Sequence, residues 1–124
     1  MRVLLVDDEI ELVSTLAERL AMRDIEAEWT STAEEALELV RRNRYDLAVL
    51  DVKIPRMSGL VLKKKMEEIQ PSLHFIFMTG HGSEKDFAQG AAEAGAGFYL
   101  VKPVKIELLM ERMEEIFRGQ GGQE

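Results

Sequence analysis

Cysteine is absent from this chain of 124 residues. That excludes disulfides, thiol nucleophiles and cysteine-ligated zinc. Long apolar runs are missing too, so no segment is long enough to cross a bilayer as a helix. The N-terminus leads directly into a strand-like run and lacks the build of a signal peptide, and the chain reads as cytoplasmic. Basic residues are in deficit, with 16 Lys and Arg against 23 Asp and Glu and a net charge of −7. Binding a phosphate backbone needs clustered cations, so no nucleic-acid surface is expected on this domain. The one basic run, Lys63-Lys64-Lys65, reads as the solvated face of a helix. A glycine-rich loop ending in lysine is also lacking, which excludes a P-loop nucleotide site. What remains is an ordinary globular composition, 46% apolar and 31% charged, at a length that fits one domain.

Short apolar runs at residues 3–6, 47–50 and 98–101 read as parallel strands buried on both faces. Strand-like and helix-like segments alternate from end to end, which implies a parallel sheet covered on both sides. Strands are expected at about 2–6, 26–30, 46–51, 73–78 and 97–101. The first helix is expected over about 9–22, with Leu12, Val13, Leu16 and Leu20 on one stripe. The second opens at a Ser31-Thr32-Ala33-Glu34 capping box, turns Ala33, Ala36, Leu37 and Val40 inward, and ends in the cations Arg41, Arg42 and Arg44. Residues 53–59 read as a loop punctuated by Pro55 and Gly59, ahead of a third helix over about 60–69. A fourth helix, with Ser83 as its N-cap, is rich in Ala and Gly and buries little apolar area, so it is expected to be loosely held. The last helix is expected over about 104–117. The domain then spans 1–118, and 119–124, with Gly119-Gln120-Gly121-Gly122, forms a flexible tail or linker stub.

Open α/β sheets bind ligands at the carboxyl ends of their strands. The residues that follow the expected strands are Asp7-Asp8, Asp51, Thr79 and Lys102. A lone Asp after a strand is commonly only a helix cap. An acid pair, a third acid, a hydroxyl and a Lys-Pro on one rim are not explained that way. Three carboxylates gathered there repel each other and become tolerable with a cation, and oxygen ligands of this kind suit Mg²⁺.

The same residues carry a family resemblance. Val6-Asp7-Asp8-Glu9, Asp51 followed by Pro55, Met57 and Gly59, Met78-Thr79-Gly80, and Ala94-Gly95-Ala96 leading to Tyr99-Leu100-Val101-Lys102-Pro103 occur in the order and spacing of the receiver domain of bacterial two-component response regulators. The resemblance runs from about residue 2 to 117. The stretch Met78-Thr79-Gly80-His81-Gly82 is most similar to the branch that includes nitrogen-regulatory activators.

The resemblance implies a flavodoxin-like, doubly wound sheet of five parallel strands in the order 2-1-3-4-5, flanked by five helices. It implies that Asp51 is the phosphoacceptor for a sensor histidine kinase or a His-phosphotransfer protein. Asp8, Asp51 and the backbone carbonyl of Lys53 would hold Mg²⁺ (or Mn²⁺), with Asp7 acting directly or through water, and Lys102 would supply a cation to a phosphoryl oxygen. Thr79 and Tyr99 would form a switch pair, and the fourth helix, fifth strand and fifth helix would be the face that controls an output domain or target protein, with a phosphorylation-dependent dimer as one outcome. A cis peptide at Lys102-Pro103 belongs to the same pattern. Lys53, His81 and Glu9 are candidates for tuning phosphoryl lifetime, with Lys53 placed to pair with Glu9 or another acid near the site. Such a domain assists its own phosphorylation and dephosphorylation without turning over a substrate.

Rival readings fail on particular residues. A flavin carrier of similar sheet order would cradle a phosphate in its first loop, where Asp7-Asp8-Glu9 would repel it. A phosphatase of the haloacid dehalogenase type needs a second Asp two residues after its nucleophile, and Lys53 stands there. A degenerate receiver that only binds partners would not need a complete acid set.

Overall fold

Alternate residues of the apolar runs face opposite sides of the sheet, as the pleat requires, and each side has its own core. In the computed structural model, which describes residues 1–80 and 99–121, Leu4, Val6, Ala48, Leu50, Phe75 and Phe77 pack on one side. Val3, Leu5, Leu47, Val49, Ile76, Met78 and Leu100 pack on the other. The elements are β1 (Arg2–Val6), α1 (Ile10–Ala21), β2 (Glu26–Thr30), α2 (Ala33–Arg42), β3 (Leu47–Asp51), β4 (Lys53–Ile54), β5 (Met57–Ser58), α3 (Gly59–Ile69), β6 (His74–Thr79), β7 (Tyr99–Val101) and a C-terminal helix (Ile106–Gly121). Helices α2 and α3 cover the first core, and α1 with the C-terminal helix covers the second.

The main sheet has the order β2-β1-β3-β6-β7 with every pair parallel. Counting only its own five strands, that is the expected 2-1-3-4-5. From β1 the chain steps outward to β2, then returns across β1 to β3. The strand order therefore reverses between β1 and β3, and the crevice at such a reversal lies beyond their carboxyl ends. Asp7-Asp8 and Asp51 stand there because four core residues precede each.

Several expectations need correction. The cap of α2 is Thr32, whose hydroxyl accepts from Glu35 N at 3.2 Å; Ser31 lies one residue too early to do so. Residues 53–59 are not an open loop. Strands β4 and β5 pair antiparallel around a Pro55-Arg56 turn, in which Arg56 adopts φ 70°, the left-handed conformation that a type II turn demands after proline. Lys63 is not part of a solvated face. It is 7% exposed, 2.9 Å from Glu67 Oε1 and 5.4 Å from the centroid of the Phe75 ring. The C-terminal helix continues to Gly121, past the expected stop. Glycine costs a helix about 1 kcal/mol without forbidding it, and Arg118 is hydrogen-bonded back to Glu114 one turn earlier. The fourth expected helix, with Ser83, and the candidate His81 lie outside the described residues.

Candidate functional site

Asp7 and Asp51 are held by the same local device. Asp7 Oδ1 accepts from Glu9 N at 2.9 Å, and Asp51 Oδ1 accepts from Lys53 N at 3.2 Å. In each, the carboxylate binds the backbone two residues ahead, a turn that Asp forms readily. One oxygen of each acid is thereby fixed, and the other is aimed at a common point. Lys102 Nζ occupies that point, 2.8 Å from Asp7 Oδ2, 3.0 Å from Asp51 Oδ2 and 2.8 Å from Glu9 Oε1.

The lysine reaches this position because β7 pairs with β6. Val101 is in register with Thr79, and Lys102 N donates to the Thr79 carbonyl at 2.8 Å. The Lys102-Pro103 peptide is cis. Thr79 itself is 1% exposed, and its hydroxyl donates to the Gly80 carbonyl at 3.3 Å. Tyr99 lies in register with Phe77, two positions back along β6 from Thr79. Side chains alternate along strands, so Thr79 and Tyr99 share one face of the sheet. Tyr99 is 45% exposed there.

Gly59 is more than punctuation. A Cβ at that position would lie 2.4 Å from the Asp51 carbonyl oxygen and 3.0 Å from Val52 Cα. Its backbone N donates to Val52 O at 2.8 Å. The start of α3 thus packs directly on the main chain that carries Asp51, and a side chain at this position would force that main chain to shift.

The electrostatics are unbalanced. Asp7, Glu9 and Asp51 converge on the Lys102 ammonium, and Asp8 adds a fourth carboxylate beside Asp7 and Asp51. Burial pushes Asp7 up to about 6; Lys102 and the Glu9 amide oppose that rise, and nearby Asp51 adds to it. Burial would lower Lys102, but its ion pairs with Asp7, Glu9 and Asp51 outweigh it and hold the amine above the usual lysine range. Although Lys102 is close to Asp7 Oδ2, that buried oxygen receives no hydrogen bond among the described residues. The ion pair is real in distance but leaves acceptor capacity unused.

Oxygens of Asp7, Asp8 and Asp51 come within 4.8 Å of one another. Asp7 and Asp51 are buried and Asp8 is exposed, so the cluster is open on one side. Hard oxygen donors with excess negative charge and a buried, unsatisfied acceptor fit a divalent cation such as Mg²⁺.

The structure therefore brings together Asp7, Asp8, Asp51, Lys102 and Thr79. Lys53 joins through its backbone, while its side chain is exposed and makes no ion pair with a described residue. Glu9, one of the acids expected as a partner for Lys53, pairs with Lys102 instead. A partnership across 93 positions has no local signal in the sequence. The steric demand at Gly59 was similarly hidden, although its place at the mouth of α3 was visible.

Residues 3–114 match the family described as response regulator receiver domain. The two-component response regulator PhoP of Pseudomonas aeruginosa is 36% identical over 122 residues, which cover 98% of this chain and 54% of that protein. The chain spans about half the length of the curated relatives it matches. Among solved structures, a CheY-like receiver domain protein from Methanospirillum hungatei superposes with a TM-score of 0.88 at 30% identity, covering 99% of this chain and 98% of that one. A response regulator from Burkholderia pseudomallei, solved with a phosphorylated aspartic acid, calcium ion and citrate, gives a TM-score of 0.78 at 28% identity over 88% of this chain and 64% of that one. With the sheet order, the acid cluster and a match that runs nearly end to end, this chain belongs to the response regulator receiver domain family.

Proposed function

We propose that this domain accepts a phosphoryl group on Asp51 from a phosphohistidine of a sensor histidine kinase or His-phosphotransfer protein. The reaction depends on Mg²⁺ (or Mn²⁺) and alters a surface that controls an output domain or target protein. One observation carries the reading: Asp51 offers a second oxygen, Oδ2, to an ammonium shared with a buried acid that lacks a full set of partners. The Burkholderia pseudomallei protein, with its phosphorylated aspartic acid and calcium ion, supports it.

In this mechanism Lys53 N steadies Asp51 Oδ1, and Oδ2 forms the bond to phosphorus as the N–P bond of phosphohistidine breaks. Lys102 places its ammonium on a phosphoryl oxygen. Asp7, Asp8, Asp51 and the Lys53 carbonyl would hold the metal, which when bound supplies charge neutralisation and a clamp on the transferring oxygens. Thr79 exchanges its long bond to Gly80 O for a phosphoryl oxygen. Tyr99, on the same sheet face, turns inward from its exposed position, and the surface formed by the fourth helix, β7 and the C-terminal helix changes shape. The kinase contacts the first helix and the loop after β7. Lys53, His81 and Glu9 set the phosphoryl lifetime. The receiver unit covers residues 1–118. It carries one phosphoryl group per chain and is a signalling module, not a turnover enzyme.

Intact-mass measurement after incubation with acetyl phosphate tests this directly. One added phosphoryl group is expected, dependent on Mg²⁺ and lost in Asp51→Asn. An equal mass gain in Asp51→Asn, or one that persists in EDTA, would contradict it.

A further inference from the structure

Glu9 differs from the other acids around Lys102. Its side chain is 59% exposed, against 0% for Asp7 and 7% for Asp51. It is not one of the three acids whose oxygens cluster as a cation site. Lys102 therefore faces two inner carboxylates that a divalent ion would need and one outer carboxylate that it would not. An ammonium on Asp7 and Asp51 and a divalent ion among the same oxygens repel each other and compete for them.

The backbone leaves Glu9 available for the lysine. Glu9 occupies the N-cap position of α1, yet its side chain makes no capping bond. Its own N–H is taken by Asp7 Oδ1 at 2.9 Å, which fixes its main chain relative to the inner acid. The carboxylate then extends outward to Lys102 Nζ at 2.8 Å.

We propose that Glu9 is a positioning residue: an outer post that draws Lys102 off Asp7 and Asp51 as a divalent ion enters, and holds the ammonium at the rim beside Asp51. The inference rests on the metal-dependent reading of the site given above. Without Glu9 the lysine has only the inner acids to hold, and it becomes the stronger competitor for them.

The test is calorimetric titration of the full chain with Mg²⁺. Wild type, Glu9→Gln and Glu9→Asp are compared, each with and without Lys102→Met. Contacting groups couple, so Glu9→Gln is expected to weaken Mg²⁺ binding about five-fold when Lys102 is present and less than about two-fold when it is not. Glu9→Asp keeps the charge but is one methylene shorter, and it is expected to weaken binding about three-fold with Lys102 present. Equal effects of Glu9→Gln in both backgrounds, or wild-type affinity in Glu9→Asp, would reduce Glu9 to a diffuse negative charge and overturn the proposal. If Lys102→Met does not fold by circular dichroism, the Glu9→Asp comparison decides alone. A wild-type chain that binds no Mg²⁺ overturns this inference together with the proposed function. Metal-dependent phosphorylation of a wild type whose Mg²⁺ affinity the Glu9 variants leave unchanged overturns this inference only.

Discussion

The two ends of the sheet carry polar networks of opposite design. At the amino end, Arg2 Nη2 donates to Glu28 Oε1 at 2.6 Å, and the Tyr45 hydroxyl donates to Glu28 Oε2 at 2.9 Å. The Arg2 guanidinium lies 5.1 Å from the Tyr45 ring centroid. Gln70 accepts from Tyr45 N and donates to the carbonyls of Val40 and Asn43, tying β3 to the end of α2. Arg2 pairs with Glu28 and lies near Glu26, whose Oε2 is 3.5 Å from Nε, and both carboxylates reach solvent; among the described buried side-chain atoms at this end, Arg2 Nε alone lacks a hydrogen bond. At the carboxyl end, Asp7, Glu9 and Asp51 share Lys102, Asp8 adds a further carboxylate beside Asp7 and Asp51, and among the described residues nothing hydrogen-bonds the buried Asp7 Oδ2. Two networks on the same strands thus do different work. The first ties elements together. The second holds like charges close, which costs stability and leaves the site ready for a cation.

Substitutions at each end should separate these roles. The largest effect is expected from Gly59→Ala. Its new methyl would meet main chain, which cannot swing aside as a flexible side chain can, so a loss of about 3 kcal/mol in urea unfolding is expected. Because the clash is with the Asp51 carbonyl, Mg²⁺ affinity should fall with it.

Asp7→Asn should act in the other direction on stability. A carboxyl raised from 3.8 to about 6 in the folded state contributes stability that is fully present below pH 3.8 and is lost as pH rises through about 6. At pH 7 without metal, the wild type has lost it, so Asp7→Asn should be more stable by on the order of 1–3 kcal/mol. The advantage should shrink toward pH 4. Urea unfolding in EDTA at several pH values would check this, and a variant less stable than wild type at pH 7 would break the contrast.

The smallest effect belongs to the amino end. Tyr45→Phe removes one hydrogen bond to a charged partner and should cost about 1.5 kcal/mol near neutral pH. Burial and, after it, the bond to Glu28 push the Tyr45 hydroxyl up to about 12. The stability this supplies is full below pH 10 and is lost as pH rises through about 12, so the wild type and variant should converge over that range. A gap that stays constant with pH would show that Glu28 does not hold the hydroxyl.

How much of this was legible depended on the range of the interactions. Strands β1, β3 and β6 were visible because burial on both faces demands an unbroken apolar run, as at residues 47–50, whereas the edge strand β2, with Glu26 exposed, carries no such run. Their order followed from the family resemblance. The acids, Thr79 and Lys102 were legible because each directly follows such a run. Strands β4 and β5 were not, since two residues leave no periodicity to read. Burial of Lys63 depended on Phe75 and Glu67 meeting it in space. The Ser31 cap was misread by one position, because Ser31 and Thr32 both satisfy the local pattern and only the backbone chooses between them. The Glu9–Lys102 pair and the amino-end network join residues far apart in the chain, and residue type alone does not name such partners.

The carboxyl-end acids remain under electrostatic strain until a divalent ion joins them. The most direct measurement is the urea-unfolding stability of wild type and Asp7→Asn at pH 7 as Mg²⁺ is raised. For the wild type, stability should climb with the logarithm of Mg²⁺ concentration, by about 2.7 kcal/mol at a hundred-fold excess over Kd, while Asp7→Asn starts higher and stays nearly flat. A wild type that gains nothing from Mg²⁺, and is no less stable than Asp7→Asn in its absence, would contradict the account.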